Sequence, residues 1–232
     1  MIWKDIQINE SETAFILDGR KLFGNEFLKV QKFHEPGLAP VCDKTGWYHI
    51  DCNGNQVYSA RYEKAFGYYY NLATVVSDGK WFHIDAVGNR VYQQNFRWTG
   101  NFQQNVCVVR NGRDEFFHIN TEGNHVYPEK YQYAGDFYDN ICCVKTKSGW
   151  KHIRKDGSDL NGKYFLDLGV FHKGYAKAKN KSGWFHIDKK GNELYSDRYD
   201  MVEPFYNGHA LVESNGVKSI IKEDGSLVVS IY

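Results

Sequence analysis

Five histidines, His49, His83, His118, His152 and His186, recur at intervals of 34, 35, 34 and 34 residues. Imidazole titrates near neutrality and is the commonest metal ligand. A ladder of five therefore invites two chemistries, a pH-sensitive interface or a metal site. Zinc needs its ligand nitrogens about 2 Å from one ion. Equivalent residues of successive repeats stand several ångströms apart, so the spacing favours a third role. Each ring then bonds a neighbouring turn or packs on an adjacent tryptophan, and folding is expected without zinc.

Two residues before four of these histidines stands a tryptophan: Trp47, Trp81, Trp150 and Trp184. Exposed indoles would serve as platforms for a partner surface or a sugar. The alternative is packing between repeats. These four tryptophans and five histidines are the candidate partner-contact set.

Other reactive groups have simpler explanations. Cys107 and Cys142 fall where other repeats carry alanine, so they are expected as small buried residues. Cys52 lies in a turn, and Cys42 and Cys143 have no inferable partner. Acidic and amide residues beside glycine, such as Asp51 with Asn53, or Asp224, follow turn chemistry and lack calcium-loop spacing. No nucleophile elbow, dinucleotide or phosphate loop, or zinc-protease motif occurs. The expectation is a non-enzyme with no catalytic, metal-binding or cofactor-binding residues.

The elements that must hold these residues are themselves repeated. Gly46-Trp47-Tyr48-His49-Ile50-Asp51 returns as Lys80-Trp81-Phe82-His83-Ile84-Asp85, and again around His118, His152 and His186. A degenerate last copy places Ile220 in the histidine slot, and an incomplete first copy lies near Phe15-Ile16-Leu17-Asp18-Gly19. Within each unit a strand A (Leu72-Ala73-Thr74-Val75-Val76, Asn105-Val106-Cys107-Val108-Val109) precedes an Asp-Gly or Ser-Gly hairpin signal. Strand B carries the Trp-x-His-Ile run. An Asp-x-x-Gly turn follows, then a short strand C such as Asn89-Arg90-Val91-Tyr92. A fourth strand D leads to a phenylalanine and an x-x-Gly or x-x-Asn segment, read as the crossing to the next unit. Helical periodicity is absent.

The aromatic share is 16%, with 17 Tyr and 15 Phe, which suits half-buried pleated surfaces. Twenty-nine basic residues against 28 acidic ones give a net charge of +1. That balance supplies no pull toward nucleic acid or anionic lipid. No apolar run is long enough for a membrane span. The first residues lack the basic-then-apolar pattern of a secretory leader, and a cytoplasmic location is expected.

The order Gly-x-Ala-x-Val, Gly-Lys-Trp, Ile-Asp-x-x-Gly and Tyr-Asp-x-Val-x-x-Phe resembles the bacterial WG-repeat family over nearly the whole chain. That family's unit usually reads Trp-Gly-Phe-Ile-Asp, whereas here it reads Trp-Tyr-His-Ile-Asp or Trp-Phe-His-Ile-Asp. The resemblance implies β-rich tandem repeats and binding, and it supplies no catalytic residues.

Residues 1–232 are thus expected to form a single all-β domain of about seven tandem 34-residue β-repeats. A β-propeller-like ring is favoured over an open β-hairpin solenoid, because small residues in strand A suit a crowded inner strand. The expected function is a repeat scaffold for protein–protein interaction. The alternatives are a carbohydrate-binding module with a glycan partner, and an enzyme with a central pocket.

Overall fold

The computed structural model describes residues 3–231. Among these, a 3-10 turn at Trp3–Asp5 precedes seven small antiparallel sheets, one per repeat. The fold is all-β, a propeller-like series of blades. A typical blade is the fourth sheet, with a lead strand Trp98–Thr99, a strand A Val106–Arg110 and a strand B Phe116–Asn120, in that order. The fifth (Tyr133–Ala134, Ile141–Thr146, Gly149–Arg154) and sixth (Asp167–Leu168, Tyr175–Asn180, Gly183–Asp188) repeat it. The seventh adds an outer strand, Leu227–Ile231, to Met201–Val202, His209–Ser214 and Val217–Lys222. The third sheet has a longer lead strand, Lys64–Tyr69, before Leu72–Ser77 and Lys80–Ile84.

Both hairpin turns of a blade are written in its sequence. Asp78 and Gly79, between strands A and B, have φ of 51° and 67°. Positive φ at both central residues is the signature of the type I′ turn, which matches strand twist. The same conformation occurs at Tyr70-Asn71, Asp139-Asn140 and Asn207-Gly208. This corrects one expectation. The x-x-Gly or x-x-Asn segment after the phenylalanine is not a crossing between units but a two-residue turn that starts strand A of its own sheet. Tyr138 and Ile141, for instance, exchange both backbone hydrogen bonds across it.

Strand C is also corrected. Residues 89–92 and 192–195 form only single bridges, Ile84 with Arg90 and Ile187 with Glu193. The Asp-x-x-Gly turn holds the chain close, with Asp85 Oδ1 accepting from the amides of Val87 and Asn89. Beyond it the backbone bends away. Arg90 then donates to the carbonyls of Tyr92, Gln93 and Gln94, the groups a further strand would have paired. Arg198 does the same for Ser196 and Asp197. A continuous fourth strand survives in the seventh sheet.

The chain divides into two compact units, Met1–Val126 and Tyr127–Tyr232. In each, the core is built from the same slots. Strand A contributes Ala39, Ala73 and Cys107 in the first unit, and Cys142, Ala176 and Ala210 in the second, all buried. Strand B sets Ile50, Ile84 and Ile119, or Ile153 and Ile187, directly across from them, with no solvent exposure. A small residue facing a β-branched one lets blades approach closely at native packing density. No disulfide forms among the described residues, and Cys107 and Cys142 are buried as expected. Burial pushes the Cys143 thiol up to about 12. Among the described residues no helix is long and apolar enough to cross a membrane.

Candidate functional site

The five ladder histidines are all buried, at no more than 1% exposure. Each lies in its own blade. In the third sheet His83 Nε2 donates to the Gly100 carbonyl at 3.0 Å, while Tyr92 Oη lies 2.5 Å from Nδ1. A carbonyl only accepts, so Nε2 carries the proton, and the tyrosine hydroxyl donates to the bare Nδ1. Phe102 packs edge-on against the ring at 4.7 Å. His186 repeats the arrangement with Tyr195, the Glu203 carbonyl and Phe205. His49 does so with Tyr58, the Phe66 carbonyl and Tyr68. The partners stand nine, seventeen and nineteen residues after the histidine. Burial holds His49, His83, His152 and His186 down to about 4, against the smaller opposing effect of the carbonyl bond. These imidazoles are therefore neutral at physiological pH. They hold the turn, the lead segment and the preceding strand together.

The same slots vary together within the chain. By spacing, Ala14 takes the histidine position of the first copy and Phe23 the tyrosine position. In the last copy Ile220 pairs with Val229. Imidazole and hydroxyl are thus lost together at both ends. The fifth sheet breaks the rule. His152 keeps its carbonyl partner, Gly169, but Asn161 stands where the tyrosine would be. Both His152 Nδ1 and Asn161 Nδ2 are buried without a partner.

The tyrosine ring has a second contact, on the glycine of the following repeat's turn. A Cβ built on Gly88 would fall 2.4 Å from the Tyr58 ring, and one on Gly157 would fall 2.6 Å from Tyr127. These glycines have φ of 89° and 83°, so conformation and space both require glycine.

Trp47, Trp81, Trp150 and Trp184 are half-buried; Trp47, Trp150 and Trp184 pack against the core, and Trp81 stacks on Phe66. Tyr133 stands 5.5 Å from Trp150, over which Lys145 extends at 5.6 Å. Lys177 and Lys179 lie 5.4 and 5.5 Å from the centre of Trp184. Tryptophan and histidine share a sheet face, but the histidines do not converge. Among the described residues no group of three or more His, Cys, Asp or Glu side chains is placed to hold a metal ion.

A second ladder is exposed at its tyrosines and half-buried at its other positions. The residue before each lead turn is His34, Tyr69, Gln103, Tyr138, His172 or Tyr206. Tyr69, Tyr138 and Tyr206 are 41%, 60% and 61% exposed. The residue just before each is a buried aromatic: Tyr68, Phe137 and Phe205. In the first unit His34 lies 5.0 Å from Tyr69, and in the second His172 lies 4.8 Å from Tyr206.

The sequence profile of the WG-containing repeat matches three stretches, residues 50–81, 119–150 and 184–217. Over these stretches the chain carries WG repeats. No curated protein matches it. Among solved structures, a eukaryotic initiation factor aligns over 98% of this chain and 72% of that one, at 10% identity and a TM-score of 0.56. At that identity the likeness concerns the fold alone. BamB from Moraxella catarrhalis aligns over 97% and 86% at 11% identity with a TM-score of 0.47. The WD40 β-propeller domain of Doa1 aligns over 98% and 82% at 16% identity with a TM-score of 0.35.

In these WG repeats the sequence pattern locates the buried ladder but not the exposed one. A signal for the second existed: its six positions keep the same 34- or 35-residue spacing. Their mixed residue types, Tyr, His and Gln, hide it, whereas the buried aromatic beside it never loses its ring.

Proposed function

We propose that this WG-repeat chain is a non-catalytic scaffold that holds a protein partner on the exposed tyrosine ladder of its blades. The observation that carries this is the paired slot before each lead turn. One aromatic is buried as an anchor, and its neighbour is pushed outward by strand alternation. Large amphipathic rings on a rigid frame are what partner surfaces use, because they add contact area with little entropy to lose. The half-open Trp150 and Trp184, with Lys145, Lys177 and Lys179 near them, lie at the opposite end of the strand A–strand B hairpin from that ladder. The ladder histidines support the frame from within, where no partner reaches them. His49, His83, His152 and His186 are neutral and engaged in packing.

A photo-crosslinking amino acid placed at Tyr138 and at Tyr206, in cells that make the protein, tests this. One defined protein is expected in the crosslinked product from both positions, and none from the exposed turn residue Val87. Equal labelling from all three positions, or none from the tyrosines, would reject the ladder as the contact surface.

A further inference from the structure

One small groove in the first unit gathers residues that depart from the repeat. It has a volume of about 210 Å³ and is lined by Phe66, Thr74, Trp81, Trp98, Thr99, Gly100 and Asn101. Thr74 takes a strand A position, opposite His83, that holds Pro40, Val108, Cys143, Lys177 or Leu211 elsewhere. Thr99 takes a lead-strand position that holds Ala65, Ala134, Leu168 or Val202. Phe66 stands where three later blades have Gly100, Gly135 and Gly169. A register shift between Ala65 and Tyr68 marks its strand. Shifts of this kind re-aim side chains next to functional sites.

These departures complete a site. Phe66 stacks on Trp81 at 5.5 Å and 23°, and Trp98 is the third aromatic of the lining. At the base lie two hydroxyls that are 2% and 3% exposed. Thr74 Oγ1 lies 3.1 Å from His83 Nε2, 3.1 Å from the Gly100 carbonyl and 3.3 Å from Thr99 Oγ1. Each hydroxyl has one proton and two acceptor sites, so Thr99, bonded only to Thr74 among the described residues, retains capacity. Asn101 adds an amide. Packing does not need these hydroxyls, since alanine, valine and leucine fill the same slots in other blades.

No charged side chain lines the groove. An ionic ligand would give up hydration there without a counter-charge. A flat ring with an apolar face and several hydroxyls loses little. Its face stacks on an aromatic ring while its edge bonds the threonines and Asn101. We infer that this groove binds one ring of a neutral saccharide. The inference goes beyond the partner surface above, and none of the ladder tyrosines lines the groove.

The full chain is titrated with glucose, galactose, mannose and N-acetylglucosamine, read by tryptophan fluorescence and by saturation-transfer NMR. Glucuronate and a proline-rich peptide are run beside them. A saturable signal from at least one neutral sugar is expected. Thr99→Val installs the residue of a sister blade, and Trp98→Ala removes one aromatic. Each is expected to weaken binding at least about tenfold, with an unchanged circular dichroism spectrum. Tyr69→Ser/Tyr206→Ser is expected to bind the sugar as the parent does, which separates this site from the partner surface. The inference is overturned if no neutral sugar saturates, if binding survives both groove variants, or if glucuronate or the peptide is preferred.

Discussion

Replacing Tyr92 by phenylalanine removes one oxygen and leaves everything else in place. The ring keeps its edge-on contact with Phe96 at 6.0 Å and its seat on Gly123. What goes is the donor to His83 Nδ1 at 2.5 Å. The histidine cannot compensate by changing tautomer, because its proton is held by the Gly100 carbonyl. It cannot compensate by protonating either, because burial holds it down to about 4. A buried acceptor is therefore stranded, which costs about 1–3 kcal/mol. Urea denaturation of the two proteins at pH 7.5 measures the loss. Nitrogen NMR of the imidazole should show the Nδ1 resonance shifting while Nε2 stays protonated. A loss under about 0.5 kcal/mol, with both nitrogen resonances unmoved, would refute the claim that this hydroxyl is the donor. His83→Leu/Tyr92→Phe imitates the chain's own ends, where both partners are apolar. It should cost less than the sum of its single changes, because neither leaves a polar atom stranded.

The remaining expectations come from the same contacts. Four histidines near 4 when folded and about 6.5 when unfolded mean that the unfolded chain binds more protons between those values. Their contribution is complete above pH 6.5 and is lost as pH falls toward 4, on the order of 3 kcal/mol for each ring. A flat urea midpoint between pH 7 and 4.5 would contradict this. Asn161→Tyr supplies the donor His152 lacks and should raise stability by about 1 kcal/mol, with Lys163 swinging off Gly191; no change in the urea midpoint would count against it. Gly157→Ala meets both a positive φ and the Tyr127 ring, whereas Gly79→Ala meets only the positive φ. The second should cost about 1–2 kcal/mol and the first clearly more. Equal losses in thermal melts would mean that the ring contact carries no weight.

The repeat, its length and its turns were open to reading because each is a local property. Asp78-Gly79 names its hairpin, and the histidine spacing sets the length of the repeat. The scaffold role of the histidines was also legible, since the slot that defines a repeat is the one packing must fill in every copy. Strand C was not legible. Residues 89–92 alternate like a strand, but Arg90 reaches forward and takes the carbonyls a neighbour would need, and alternation does not reveal that. The groove was hidden for a different reason. The register shift falls at Phe66 alone, and Phe66, Thr74 and Trp98, which line the groove with the recurrent Trp81, are each by themselves an unremarkable substitution.

The tyrosine laid over the next repeat's glycine gives the chain a grammar of growth. Each copy but the fifth carries an aromatic peg for its successor, whose turn glycine is the socket. A duplication or deletion of one whole period, away from the fifth copy, joins a peg to a socket again. Gene-level slippage can thus lengthen or shorten the array without inventing a new joint. Slippage by a fraction of a period leaves a ring with no seat. The junction of Asn161 with Gly191, where an amide and the Lys163 stem replace the ring, is the mismatched joint.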